Sequence, residues 1–245
     1  LVRPAFEKLY QRENANFRDA GQELSAARDA QSLIEAFDRL TLKPDDTAEP
    51  LFPGIRTHLV ERRQKIAGEQ GDLSETLAVL TQKIEQAIQR TETWKLKEKG
   101  FEAIVRGFEK TYDRGQRAME KTARKKAHFD DFHEWRKRVK YHWYHCRLLQ
   151  NLWKPLMKAR RDEAKHLAEL LGDDHDYSLL HLLLTENADE FPCKSEVAEF
   201  RKVIARTQKS IRREAFSVGQ RLYADKPKHL CRRLDSWWAI WRDAA

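Results

Sequence analysis

The side chains best suited to holding a ligand are concentrated between residues 133 and 147. If this segment is helical, residues three and four apart become neighbours and a basic row forms along one face. Arg presents a planar fork of donors that matches phosphate oxygens, and Lys presents a mobile point charge, so a mixed row suits a chain of phosphates. The basic row consists of His133, Arg136, Lys137, Lys140, Tyr144 and Arg147.

The simplest alternative is a solvated helix face that binds nothing. Repulsion argues against it, because each neighbouring pair of like charges costs about 0.2–0.5 kcal/mol on a helix. A polymeric anion would offset this repulsion, and each phosphate after the first is already tethered beside its site. No acidic residue lies within the row, and Glu134 lies beside it as a helix-start residue that the helix dipole favours.

A second basic stripe precedes the basic row along the chain. If the two helices pack antiparallel, both stripes could face a common groove. Two independent solvated surfaces explain the same pattern, and the sequence leaves both interpretations open. The second stripe consists of Arg106, Lys110, Arg114, Arg117, Lys121 and Arg124, at spacings of three, four and seven.

Metal binding and catalysis find little support in the sequence. His142 and His145 have a spacing that metal ligands use, but no carboxylate or thiol completes a set, so we interpret them as core or surface histidines. Aspartates follow Gly172 closely, which favours a helix end and a new cap over a metal cluster. No nucleophile has an evident His partner, and no Walker-type phosphate loop is present. We therefore predict a protein that is not an enzyme and uses no cofactor or metal.

Composition indicates an all-α protein. Of 245 residues, 40% are apolar and 35% charged, with only nine glycines and seven prolines to interrupt long helices. The net charge of +8 alone is weak evidence for an anionic partner. Three distant cysteines without a CxxC pair are typical of reduced thiols in a cytoplasmic protein. No apolar run approaches the roughly 20 residues of a membrane-spanning helix, so no membrane partner is predicted.

Apolar periodicity predicts the helices that position these groups. Phe132, Trp135 and Val139 continue into Cys146 and Leu149 as a core stripe beside the basic row. The first half is predicted to contain helices at 6–40 with a break near Gly21 or Arg28, at 55–67 ending at Gly68, and in a segment capped by Asp72 or Ser74 that runs toward Trp94. The second half is predicted to contain helices at 101–124, from Asp130 or Asp131 to 153, at 156–184 with Pro155 in its first turn and a break or kink near Gly172, at 196–222, and a last one that follows Lys226-Pro227 and ends at about Trp241.

Two further local features bear on organisation. Asp131 followed by Glu134 has the form of a capping box at the start of the helix that carries the basic row. A faint internal repeat relates Arg3-Pro4 and the segment 24–33 to Lys154-Pro155 and the segment 171–180. The repeat predicts two related helical halves, residues 1–98 and 99–245, that together form one domain.

With these residues identified, the chain resembles the CHAD family, the conserved histidine α-helical domain. The resemblance extends over essentially the whole chain, and its motifs are specific in combination. They are the segment 133–140 beginning His-Glu-Trp-Arg, the segment 165–176 ending Gly-Asp-Asp-His-Asp, its first-half counterpart 17–30, and the Lys226-Pro227 stretch. The family's first half should open with its own basic helix, whereas this sequence starts where that helix should be ending.

The resemblance implies two pseudo-symmetric bundles of long antiparallel helices around a basic central cavity or pore. It also implies binding of inorganic polyphosphate and association with polyphosphate granules, and some family members accompany triphosphate tunnel enzyme domains. The implied ligand contacts, with Arg114 of the second stripe included, are Arg18, Arg28, Arg114, Arg117, His133, Arg136, Lys137, Lys140, Lys165 and Arg213.

Nucleic-acid binding through the same basic surface is the alternative function. Single-strand binding normally uses several aromatic rings for base stacking, and between Arg136 and Arg147 the basic row offers only Tyr144. No helix-turn-helix or RNA-binding signature appears either. Polyphosphate is therefore the first choice of partner, and nucleic acid is the second.

Overall fold

The computed structural model describes residues 1–5, 7–23, 25–41, 51–70, 73–96, 98–124 and 127–244. These residues form helices and no strand, which confirms the predicted all-α class. Three short 3-10 helices cover Arg3–Ala5, Gln150–Leu152 and Ala188–Glu190. The α-helices in this part of the chain are α1 (Glu7–Glu23), α2 (Ser25–Thr41), α3 (Pro53–Gln70), α4 (Ser74–Thr91), α5 (Glu102–Thr122), α6 (Phe129–Leu148), α7 (Lys154–Glu186), α8 (Lys194–Leu222) and α9 (Pro227–Asp243).

The chain forms two compact units that interleave along the sequence. Unit 1 comprises Leu1–Glu7, Leu96–His175 and Lys209–Ala245, and unit 2 comprises Lys8–Lys95 and Asp176–Gln208. Helices α7 and α8 therefore contribute residues to both units. The two halves expected from the repeat stay a prediction. The same holds for the pseudo-symmetric bundles around a cavity.

The centre of unit 1 is an antiparallel hairpin of α5 and α6. Phe108 and Tyr112 of α5 are fully buried and lie with their ring centroids 6.0 Å from His145 and 5.3 Å from His142, respectively. Pairing of earlier α5 residues with later α6 residues requires the antiparallel direction. The hairpin confirms the antiparallel packing of these two helices. Antiparallel packing was the condition under which the two basic stripes could face a common groove.

The core stripe of α6 is also confirmed. Phe132, Trp135 and Val139 are at most 6% exposed, and Cys146 and Leu149 farther along the helix are also buried. Burying side chains of this size contributes about 1.5–3 kcal/mol each. Helix α8 packs closely on Trp135, because a Cβ at Gly219 would lie only 2.7 Å from the indole ring. This packing fixes the rotation of α6 about its axis.

Unit 2 has its own aromatic core. The ring of Phe200 lies 4.9 Å from that of Phe37 and 5.1 Å from that of Phe52, between centroids. Glu13 of α1 is buried and receives a hydrogen bond of 2.7 Å from the guanidinium of Arg90 in α4. The Arg90 guanidinium holds the pKa of that carboxyl below its usual value. The acid therefore stays charged and tied to α4.

Of the two alternatives predicted near Gly172, the break is wrong, because α7 continues from Lys154 to Glu186, and the kink stays a prediction. The aspartates after Gly172 were interpreted as caps, but Asp174 is fully buried and accepts a hydrogen bond of 2.7 Å from Arg212 Nε on α8. Asp176, in unit 2, pairs with Arg39 at 3.2 Å. Asp174 and Asp176 therefore form ion pairs with other helices and do not cap a helix end.

The predicted capping box of α6 is also corrected. His128 is the N-cap, and its backbone N–H donates to the Asp131 carboxylate at 3.0 Å, so Asp131 is the third helical residue rather than the cap. Glu134 pairs instead with Lys137 and Arg138 on the same helix.

Several predicted boundaries differ from the structure by a few residues. Helix α6 ends at Leu148 and a 3-10 turn replaces its predicted extension toward Trp153, while α3 passes Gly68 and ends at Gln70. Ser74 is the first residue of α4 and not its cap. Predictions at Leu24, at 43–50 and at Asp72 lie outside the described residues.

Two observations complete the description of the fold. All three cysteines are free thiols, and Cys146 and Cys231 are buried. Within the ranges given above, no helix combines the length and the apolarity needed to cross a membrane.

Candidate functional site

The basic row lies in unit 1 along the face of α6 next to the core stripe. His133, Arg136 and Lys140 are half-buried, and Lys137 is exposed. The helix starts at the His128 cap and is held in rotation by Trp135, so the row has a fixed direction relative to the core. The structure thus brings together four of the predicted ligand contacts on one helix face.

Arg136 is the most distinctive member of the row. Its guanidinium lies against the backbone of α7 at Gly172, where a Cβ would be 3.7 Å from Nε. The Nε atom is shielded from water and has no hydrogen-bond partner among the described residues. No carboxylate in the same part of the chain forms an ion pair with Arg136. Among the described residues, therefore, no carboxylate neutralises this guanidinium, and packing holds it in place.

His133 faces a histidine that sequence reasoning missed. Its Nδ1 atom lies 3.3 Å from Nδ1 of His175 on α7, so one nitrogen donates, the other accepts, and at least one ring is neutral. Phe129 covers the second ring, with centroids 5.1 Å apart and planes 14° apart. The position of His175 between Asp174 and Asp176 in the family motif was the available signal. It was attributed to capping instead.

Burial and neighbouring cations keep this histidine pair uncharged. Burial lowers the pKa of His133, and the charges of Lys137 and Arg136 lower it further. Burial, followed by the charges of Arg136 and His133, lowers the pKa of His175 to about 4. At neutral pH the pair therefore offers polar hydrogen-bonding groups beside the permanent charges of the basic row.

Four predicted contacts have a carboxylate neighbour within their own helix. Each pair is exposed to solvent, and exposed pairs of this kind contribute little to stability, so separating the two side chains costs little free energy. The pairs are Arg18–Asp19 at 3.1 Å, Arg117–Asp113 at 3.0 Å, Lys137–Glu134 at 3.0 Å and Lys165–Glu169 at 3.3 Å.

The remaining predicted contacts are exposed arginines. Arg28, Arg114 and Arg213 have no carboxylate partner among the residues that the structure describes. Arg18 and Arg28 belong to unit 2, and all other predicted contacts belong to unit 1. Convergence of the whole set on one ligand stays a prediction.

The second stripe is divided between two places. Lys121 pairs with Asp131 of α6 at 2.7 Å. Arg106, Lys110 and Arg117 instead line a cavity with the start of α9, which contributes Lys226 and Lys228. We call this cavity the α5–α9 pocket. Lys226-Pro227 was identified in the sequence as a helix start and as part of the family resemblance, and neither Lys226 nor Lys228 was among the candidate ligand contacts.

The two other α6 histidines belong to the core. His142 is fully buried and accepts a hydrogen bond of 3.2 Å from Arg160 Nε, a geometry that requires a neutral ring. Burial lowers the pKa of both His142 and His145. The described residues contain no group of three or more His, Cys, Asp or Glu side chains arranged to hold a metal.

Comparison with known families agrees with the motifs on α6 and α7. The model of the CHAD domain matches residues 1–185, which include the basic row, His175 and the aspartates that follow Gly172. Comparisons with curated proteins and with solved structures find no match. Because the matched segment is well over half of the sequence, the chain belongs to the CHAD domain family.

Proposed function

We propose that this chain is a non-catalytic module that binds inorganic polyphosphate through the basic row of α6. The observation that carries the proposal is Arg136, a cation held by packing against Gly172 and lacking a carboxylate partner among the described residues. Such a group loses little conformational entropy on binding, and its fork of donors matches phosphate oxygens. The CHAD family is associated with polyphosphate binding in general.

The spacing of the row supports a polymer rather than a single phosphate. Arg136, Lys137 and Lys140 lie on successive positions of one helix face, and the rise of about 1.5 Å per residue spreads their charges along the axis. A flexible chain of phosphates can contact them in turn, and each contact raises the effective concentration of the next. Targeting to polyphosphate granules would be the cellular consequence of this binding.

Nucleic acid is less well accommodated by the same surface. Between Arg136 and Arg147 the only ring in the row is that of Tyr144, and one face of it is stacked on Trp143 with centroids 4.7 Å apart. A base would have to compete with this intramolecular contact. Arg138 lies over the ring of nearby Tyr141 at 5.7 Å, which occupies that ring as well. The row therefore favours a ligand that needs charge and no stacking.

Titration calorimetry tests the proposal. Long-chain polyphosphate should bind the whole chain at physiological salt more tightly than duplex DNA does. The variant R136Q/K137Q/K140Q should lose this binding while its helical circular dichroism stays unchanged. A control variant, R138Q/K158Q, removes two cations outside the row and should bind normally. Tighter binding to DNA, or unchanged affinity of the row variant, would reject the proposed function.

A further inference from the structure

We propose that the α5–α9 pocket is a second anion site, separate from the basic row, that binds a compact oligophosphate of two or three linked phosphates. The ligand would be either a free oligophosphate or the end of a longer chain. No residue of α6 lines the pocket, so this inference does not depend on the function proposed for the basic row. It rests on the charge, the backbone and the shape of the pocket.

The charge of the pocket is unbalanced. Arg106 and Lys110 of α5 face it together with Lys226 and Lys228 at the start of α9, and none of the four has a carboxylate within ion-pair distance among the described residues. Glu109 lines the same cavity without pairing with any of them.

Asp113, the other carboxylate that lines the pocket, does not neutralise these four cations. Asp113 is already paired with Arg117 at 3.0 Å. Four unpaired cations around one cavity repel one another, and a ligand with several negative charges would offset this repulsion.

The backbone of α9 adds to this potential. Lys226 is the N-cap, and no side chain hydrogen-bonds to the first turn. Pro227 has no N–H, and the N–H groups of His229 and Leu230 donate to the Lys226 carbonyl at 2.9 and 3.2 Å. The N–H of Lys228 is left as the donor at the positive end of the helix dipole. This helix end supplements the side chains and would not define a site without them.

The size and lining of the pocket select among anions. Its volume of about 580 Å³ lies within the range of small-ligand sites. Among the described residues, the only aromatic ring that lines it is the imidazole of His229, so the pocket offers a nucleobase a smaller stacking surface than a phenyl, phenol or indole ring would. Arg106 can hold two phosphate oxygens at once, and the flexible lysines can follow the others. A short chain of phosphates without a base satisfies all of these features.

Calorimetric titration of the whole chain with inorganic tripolyphosphate tests the inference. The pocket variant K226Q/K228Q should bind tripolyphosphate about tenfold more weakly, because two charge-assisted contacts are lost. The row variant R136Q/K137Q/K140Q should keep its affinity, and so should K65Q/K158Q, a control with the same change in net charge as the pocket variant. Thermal unfolding of each variant monitors the fold.

The results separate the two proposed sites. Loss of tripolyphosphate binding in the pocket variant alone supports the pocket, even if the basic row binds nothing. Absence of binding to the wild type, unchanged binding in the pocket variant, or loss in the row variant would each overturn the inference. In the row variant, displacement of tripolyphosphate by long-chain polyphosphate would assign the pocket to chain ends, and absence of displacement would assign it to free oligophosphates.

Discussion

Asp174 and Arg212 join α7 to α8 within unit 1 through a bidentate contact. Arg212 donates from Nε to Oδ1 at 2.7 Å and from Nη2 to Oδ2 at 3.2 Å. The carboxylate is 1% exposed and the guanidinium 33%, and the latter also lies 4.2 Å from the ring centroid of Phe132. One pair thus links the family motif of α7 to α8 and to the core stripe of α6.

Replacing Asp174 by Asn should destabilise the fold. The substitution removes one charge of a pair whose carboxylate is buried, which costs about 3 kcal/mol, and partial exposure of Arg212 keeps the cost at the lower end of the range. Urea denaturation measures the change. As a control, D189N breaks the fully exposed pair with Lys194 and should leave the free energy of unfolding nearly unchanged. Equal effects of both substitutions would contradict this account.

Two helical glycines should respond in opposite ways to alanine. At Gly172 the new methyl would lie 3.7 Å from Arg136, an ordinary contact, so G172A should stabilise the protein by about 0.5–1 kcal/mol. At Gly219 it would lie 2.7 Å from buried Trp135 and 2.9 Å from Met119 Sδ, so G219A should destabilise it by about 1–3 kcal/mol. Thermal unfolding measures the change in stability of both variants. Changes of the same sign would contradict this account of the packing at the two glycines.

Stability should depend on pH through His175. Its folded pKa is about 4 against 6.5 for an ordinary histidine, so between these values the unfolded chain binds a proton that the folded chain does not. The contribution is complete above pH 6.5 and is lost as the pH falls toward 4. Unfolding free energies of the wild type and H175Q should therefore converge as the pH falls. A constant difference between the two proteins from pH 7 to 4 would rule out this role.

Polyphosphate binding should weaken with salt. Each cation that contacts a phosphate displaces a counterion, so raising NaCl from 50 to 200 mM should reduce the association constant by about tenfold or more. The single variant K137Q should show a shallower dependence of the logarithm of the association constant on the logarithm of the salt concentration. Calorimetry at four salt concentrations gives both slopes. Identical slopes would mean that Lys137 contacts no phosphate.

The sequence predicted those parts of the fold that depend on local pattern. Apolar spacing placed Phe132, Trp135 and Val139 in the core correctly because burial follows the helical repeat. The error at Gly172 has a tertiary cause: Arg212, the partner of Asp174, is 38 residues away and turns an apparent cap into an interhelical pair. Likewise, Asp131 was misplaced within the capping box because His128, an unusual N-cap, gives little sequence signal.

The candidate site shows the same limit. His133, Arg136, Lys137 and Lys140 were grouped correctly because they share one helix. His175 was missed because its contact with His133 spans 42 residues, and helix α9 was not expected to complete a pocket with α5. Spacing within one helix can be read from sequence, whereas the meeting of two helices depends on packing that a single sequence does not display.

The core stripe and the basic row of α6 share one helix, and this limits how the protein can change. Inserting a single residue after Trp135 would turn the rest of the helix by about 100°. The insertion would remove Val139 from the interior and would move Arg136, Lys137 and Lys140 together away from the face that carries His133. Insertions that shift the cations therefore also cost folding energy. Because Trp135 and Val139 must stay buried, these two core residues also fix the position of the cations on the same helix.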